Sequence, residues 1–170
     1  MPSGKREENM FREMRRKSQL LSFEECEKIL NQNTSGVLAL SGDNGYPYAV
    51  PLSYVYSSGS IYFHCALEGH KIDAIKFCNK ASFCVIDSDN VVPGEYTTYF
   101  RSVVAFGKIH ILEDKDTKMD SIKKIAAKYS PLESEENTIR TINTSWEHFC
   151  MLGLLIEHLS GKQAKELRSI

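Results

Sequence analysis

The chain holds 170 residues, 42% of them hydrophobic and 25% charged. That balance fits one soluble domain with its own core and excludes a disordered, collagen-like or bare coiled-coil chain. Lysine and arginine number 21 against 22 aspartate and glutamate, so no net field draws the protein to nucleic acid or to an anionic membrane.

The five cysteines (Cys26, Cys65, Cys78, Cys84, Cys150) form no Cys-x-x-Cys and are odd in number. They read as reduced, mostly buried thiols, which points to the cytoplasm rather than to a zinc ribbon or a closed disulfide set. The N-terminus is charged rather than apolar and no apolar run nears the roughly 20 residues of a membrane helix, so neither a secretory leader nor a membrane span is expected. Residues 1–17 carry six basic and three acidic residues. Residues 1–19 read as a solvated basic arm.

Ser22-Phe23-Glu24-Glu25 is a capping box that opens a helix carrying Phe23, Cys26 and Leu30 on one face. Gly36–Leu40 fits a short buried strand, and Ser41–Gly45 is turn chemistry. From Tyr46 to Tyr56 bulk falls on the even positions, the alternation of one long strand. Ser57–Ser60 turns it into a return strand over Ile61–Ala66, a hairpin. Pro47 and Pro51 cannot donate to a ladder, so part of the first strand must be an edge, a bulge or a place where something else meets the backbone.

Gly69-His70-Lys71 opens a helix through Cys78. Ala81–Ile86 reads as a strand, Tyr96–Leu112 as a longer one bent at Gly107. Helical stripes follow over 118–129 and 135–143, then a strand over Trp146–Leu159 and a polar, loose tail over 163–170. Six strands with short connections favour antiparallel pairing. A six-stranded, mainly β barrel with outside helices (α+β) is the natural closure, because it removes edges.

Little in the sequence marks classical chemistry: there is no P-loop, no G-x-G-x-x-G and no nucleophile elbow. Asp87 and Asp89 read as a solvated turn. His64 and Cys65 cannot share a metal from neighbouring strand positions, which face opposite ways; no metal site is expected. The strand–loop–helix around His64, Gly69 and Lys71 stands out, because a helix start with a lysine in its first turn suits a phosphate. The plain alternative is an exposed Lys71 and a His64 satisfied in the core. Arg101 and Ser102 interrupt an apolar strand; the arginine needs an acidic partner or an anionic ligand, or else it sits on a solvated face.

The ordered set Gly36–Leu40, Gly45–Leu52, Ile61–Ala66, Gly69-His70-Lys71, Phe83–Val85, Val92–Val103, Phe106-Gly107, Lys128–Pro131 and Ser160–Lys162 resembles the pyridoxamine 5′-phosphate oxidase-like flavin-binding superfamily. Within it the likeness is greatest to the nitroimidazole-resistance type, and it spans residues 20–162 as one flavin-binding domain. The resemblance implies a split β-barrel of the FMN-binding type and a homodimer with flavin sites at its interface. It implies FMN, with FAD as the alternative, and reduction of a small-molecule electron acceptor, nitroaromatics among them. It places the backbone of Val50, Pro51 and Leu52 along the isoalloxazine ring, His64 and Lys71 at the ribityl phosphate, and Arg101 and Ser102 among the polar flavin contacts. No residue is marked as catalytic. Oxidation of vitamin B6 is not expected, because the additional phosphate-binding arginines and the substrate-binding C-terminal segment of the pyridoxamine oxidases are not found. The alternative reading is a non-catalytic flavin- or haem-binding protein on the same barrel.

Overall fold

The computed structural model describes residues 11–168. The capping box forms as the sequence requires: Ser22 accepts the Glu25 amide and Glu25 takes the Ser22 amide at 2.7 Å. It opens helix α1 (Phe23–Gln32), which buries Cys26, Ile29 and Leu30. The strands are β1 (Ser35–Ser41), β2 (Pro47–Ser53), β3 (Val55–Ser57), β4 (Ser60–Cys65), β5 (Lys80–Val92), β6 (Thr97–Ile111) and β7 (Cys150–Gln163). Helix α2 (His70–Phe77) lies between β4 and β5, and α3 (Lys115–Tyr129) and α4 (Glu135–Ser145) lie between β6 and β7.

All strand pairs are antiparallel, in the order β2-β1-β5-β6-β7-β4-β3. The two end strands of that order, β2 and β3, are consecutive in the chain and separated by Tyr54 alone. The sheet must therefore curl until its ends meet, a barrel left split where β2 and β3 share no ladder.

Seven strands replace the expected six, because the stretch 46–56 is two strands that serve opposite ends of the sheet. Only β3 makes the hairpin with β4; β2 pairs with β1 along its whole length. The alternation itself is real: Tyr54 and Tyr56 are buried, and Tyr48, Val50 and Leu52 pack on the core. Interior positions on the other strands, Leu38, Ile61, Phe63, Phe83, Val85, Val103 and Leu154, complete that core. Ile72, Ala74 and Ile75 add the inner face of α2 to it.

Two further boundaries differ. β5 runs on to Val92, so Asp87 is a strand residue with a nearly buried side chain, not part of a solvated turn. Trp146–His148 is a 3₁₀ turn and β7 starts at Cys150. Consecutive residues 150–154 are all buried, since α3 covers the outer face there, with Met151 packed against Ile125. The ends are also tied down within the described residues. Phe11 stacks on His158 at 4.7 Å. Leu21 donates to the Gly161 carbonyl, and Ala164, buried, to that of Phe100. The first ten residues of the basic arm lie outside the described residues.

Candidate functional site

Gly69 adopts φ 120°, a conformation that favours glycine, and turns the chain after β4 into α2. It supplies no side-chain cap. Its carbonyl takes the amides of Ile72 and Asp73, which leaves those of His70 and Lys71 at the helix start without a helical partner. A pocket of about 160 Å³ opens there, lined by Tyr48, Cys65, Glu68, Gly69, His70 and Lys71. His70 stacks on Tyr48 at 4.1 Å, with the Asp43 carboxylate 3.6 Å away. Two amides, the positive end of a helix and an ammonium make a corner that fits a phosphate in charge and in donors.

Beside this corner runs β2, an edge strand. The Tyr46 carbonyl accepts the Gly42 amide, so even-numbered residues here direct their main chain at β1 and odd-numbered ones outward. Pro47 and Pro51 thus occupy outward positions, where a missing N–H costs no ladder bond. Of Val50, Pro51 and Leu52, only Pro51 turns its main chain to the free edge. Val50 and Leu52 instead point their side chains at the core.

Arg101 finds an acidic partner. Its Nε donates to Asp87 Oδ2 at 2.6 Å, and Asp87 Oδ1 accepts Gln32 (2.7 Å) and Asn33 (2.8 Å). Burial pushes the Asp87 carboxyl up, but the hydrogen bonds from Asn33, Gln32 and Arg101 outweigh it and hold the group below its ordinary value. Ser102 follows on β6 opposite Ile86 and Lys162.

His64 stands apart from Lys71. Along β4 the side chains of Ile61 and Phe63 face the barrel interior, so Tyr62 and His64 face out. His64 lines a groove of about 380 Å³ under α3 and α4, with Tyr129, Asn137, Thr141 and Phe149. The strand neighbour that reaches the Lys71 pocket is Cys65. The seven expected residues therefore occupy four places in the chain: the start of α2, the β2 edge, the β5–β6 ladder and the α3–α4 groove.

Sequence reasoning missed the residues that hold this frame. The Tyr129 hydroxyl accepts the Tyr54 amide at 2.8 Å and lies against the carbonyls of Tyr54 and Thr34. Lys128 donates to the Asn33 carbonyl and sits 4.2 Å over the Tyr54 ring, with its ammonium pushed below its ordinary pKa by burial. The motif Lys128–Pro131 flagged the place, but nothing local in it shows that the target is residue 54. Among the described residues no three His, Cys, Asp or Glu side chains gather as a metal site, and no helix is long and apolar enough to cross a membrane.

Comparison with known proteins places this geometry. The family model described as pyridoxamine 5′-phosphate oxidase matches residues 22–163. A protein of Bacteroides thetaiotaomicron named for 5-nitroimidazole antibiotic resistance superposes with a TM-score of 0.69 at 19% identity, over 85% of this chain and 86% of that one. A FAD-binding protein of Mesorhizobium loti is 27% identical, with a TM-score of 0.59 over 86% of this chain and 97% of its own. A FAD- and haem-binding protein of Mycobacterium smegmatis gives 0.69 at 19% identity, over 86% and 73%. No curated protein matches the chain.

Proposed function

This chain belongs to the pyridoxamine 5′-phosphate oxidase family, and from that premise we propose that it is a flavin-dependent reductase of small electron acceptors. Nitroaromatics such as 5-nitroimidazoles are the acceptor class, a reading supported by the likeness to the B. thetaiotaomicron protein. The observation that carries the proposal is the start of α2, where unpartnered amides and Lys71 meet beside the proline-bearing edge of β2.

FMN is the cofactor of this reading, its phosphate at Lys71 and the first amides of α2. FAD is the alternative, supported by the FAD-binding neighbours. Pro51, on the free edge of β2, would line the ring, with Val50 and Leu52 anchoring it from either side in the β1 ladder and the core. Arg101, with only Nε engaged by Asp87, and Ser102 would add polar contacts. Lys71 shares a pocket with Cys65, whereas His64 lines the separate groove under α3 and α4, so a cofactor that uses both calls for two subunits. That is the homodimer this reading requires. Once bound, the flavin supplies the redox chemistry. The chain's own residues hold the phosphate, orient the ring and present hydrogen bonds from Ser102 and His64.

An absorption spectrum of the purified protein from about 300 to 600 nm, followed by acid release of any chromophore, tests the reading. Flavin bands with FMN released are expected, together with turnover of a nitroaromatic by a reduced nicotinamide. A colourless protein that ignores added FMN and FAD overturns it. The likeness to the FAD- and haem-binding protein favours one second reading, a non-catalytic carrier, which bound chromophore without turnover would establish.

A further inference from the structure

Cys65 closes β4 and Cys150 opens β7, and the two are direct cross-strand partners. Main-chain hydrogen bonds define the kind of pair. The Met151 carbonyl accepts the Leu112 amide on the β6 side, and the Ile156 amide donates to Gly59 on the β4 side. Even-numbered residues of β7 in this stretch therefore direct their main chain at β4. Cys65 and Cys150 are a hydrogen-bonded antiparallel pair, a class whose α-carbons typically lie about 5.5 Å apart, inside the range of about 4.4–6.8 Å that disulfides span.

Both side chains lie on the interior face that Ile61 and Phe63 share. Both are free thiols, close enough for each to shift the other's ionisation. Cys150 is buried, whereas Cys65 is half-buried and lines the Lys71 pocket. None of the other three cysteines faces a cysteine: Cys84 lies opposite Val37 and Val104, Cys26 packs on Gly161, and Cys78 ends α2.

We propose that Cys65 and Cys150 are a redox-active dithiol, oxidised by low-molecular-weight disulfides to a cross-strand disulfide in the wall of the Lys71 pocket. Cys65 is the thiol a reagent can reach. After losing its proton to solvent, its sulfur attacks one sulfur of the small disulfide RSSR, whose S–S bond breaks and releases one RSH. Cys150, deprotonated in turn, attacks Cys65 Sγ and expels the second RSH. The protein loses two electrons and two protons, and the small disulfide gains them. Lys71 at the entrance favours an anionic reagent such as glutathione disulfide. Burial holds the Cys65 thiol up at about 11, so the reaction is slow at neutral pH and quickens about tenfold per pH unit.

The test treats the full-length protein with glutathione disulfide at about pH 8, blocks remaining thiols by alkylation, and reads intact mass and peptide maps. Two of the five cysteines should escape alkylation, in one linked pair of peptides carrying Cys65 and Cys150, with no link between chains. Cys150→Ser should stop at a glutathione adduct on Cys65. The proposal fails if a different pair is bridged, or if Cys78, half-buried like Cys65 and with its thiol held low by hydrogen bonds at Lys80 and Ser41, is the only one modified. It fails equally if Cys150→Ser leaves Cys65 fully alkylatable.

Discussion

The Tyr129 hydroxyl occupies both main-chain polar groups of Tyr54, accepting its amide at 2.8 Å and facing its carbonyl at 2.9 Å. Tyr54 is the residue at which the barrel splits, where neither β2 nor β3 offers a ladder partner. A side chain from the end of α3 thus does there what a neighbouring strand does elsewhere. Tyr129→Phe leaves a buried amide unpaired and should cost about 1–3 kcal/mol in urea unfolding. A loss below about 0.5 kcal/mol would mean that water replaces the hydroxyl without penalty.

The same junction explains what the sequence could and could not show. Alternation over 46–56 reported which side chains face the core, and the structure agrees for Tyr48, Val50, Leu52, Tyr54 and Tyr56. Alternation depends only on the pleat. It is blind to which strand each half pairs with, so it could not reveal the break at Tyr54, whose hydrogen-bond partner lies 75 residues away. The glycine turn and the helix start before Lys71 were legible because they are local. The separation of His64 from Lys71 was not, since it depends on α3 packing on β4 while α2 packs on β1 and β6. Asp87 looked solvated because Arg101, Gln32 and Asn33 reach it from distant parts of the chain.

Asp87 makes the acid side of the stability curve specific. Its carboxyl titrates lower in the folded protein than its ordinary value. The stability it contributes is complete above the unfolded carboxyl value of about 3.9 and is lost as pH falls from there through the lower folded value. Asp87→Asn should cost about 1–3 kcal/mol at neutral pH, because Arg101 loses its partner. Its unfolding free energy should also fall less steeply than wild type in that acid window. Identical acid slopes for the two proteins would remove Asp87 from this role.

Lys71→Ala should weaken FMN binding about 10- to 100-fold, the scale of one charge-assisted contact to a phosphate. The unfolding midpoint of the flavin-free protein should barely move, because Lys71 makes none of the described ion pairs. Adding Arg101→Ala should weaken binding further if the arginine's outer edge meets the same cofactor. Equal affinities for wild type and the double variant in a flavin titration would dissolve the site assignment and leave the fold untouched.

Gly107 marks the place where β6 and β7 shift register: Phe106 pairs with His158 but Gly107 with Ile156, so Glu157 is the extra residue of a bulge. A Cβ at Gly107 would lie 1.9 Å from the Leu155 carbonyl oxygen and 2.8 Å from its carbon. Both atoms are backbone, so no rotamer change relieves the clash. β7 would have to move away from β6 between two stretches of intact ladder. Gly107→Ala should therefore cost about 3 kcal/mol or more. Gly94, at the tip of the β5–β6 hairpin, has nothing within 4 Å of its would-be Cβ. Gly94→Ala should leave stability unchanged or raise it by about 0.4–1 kcal/mol through the unfolded chain's lost freedom. The two denaturation curves, measured side by side, separate steric crowding from loss of backbone freedom: similar costs at both positions would show that the close approach of Leu155 is not what requires glycine at residue 107.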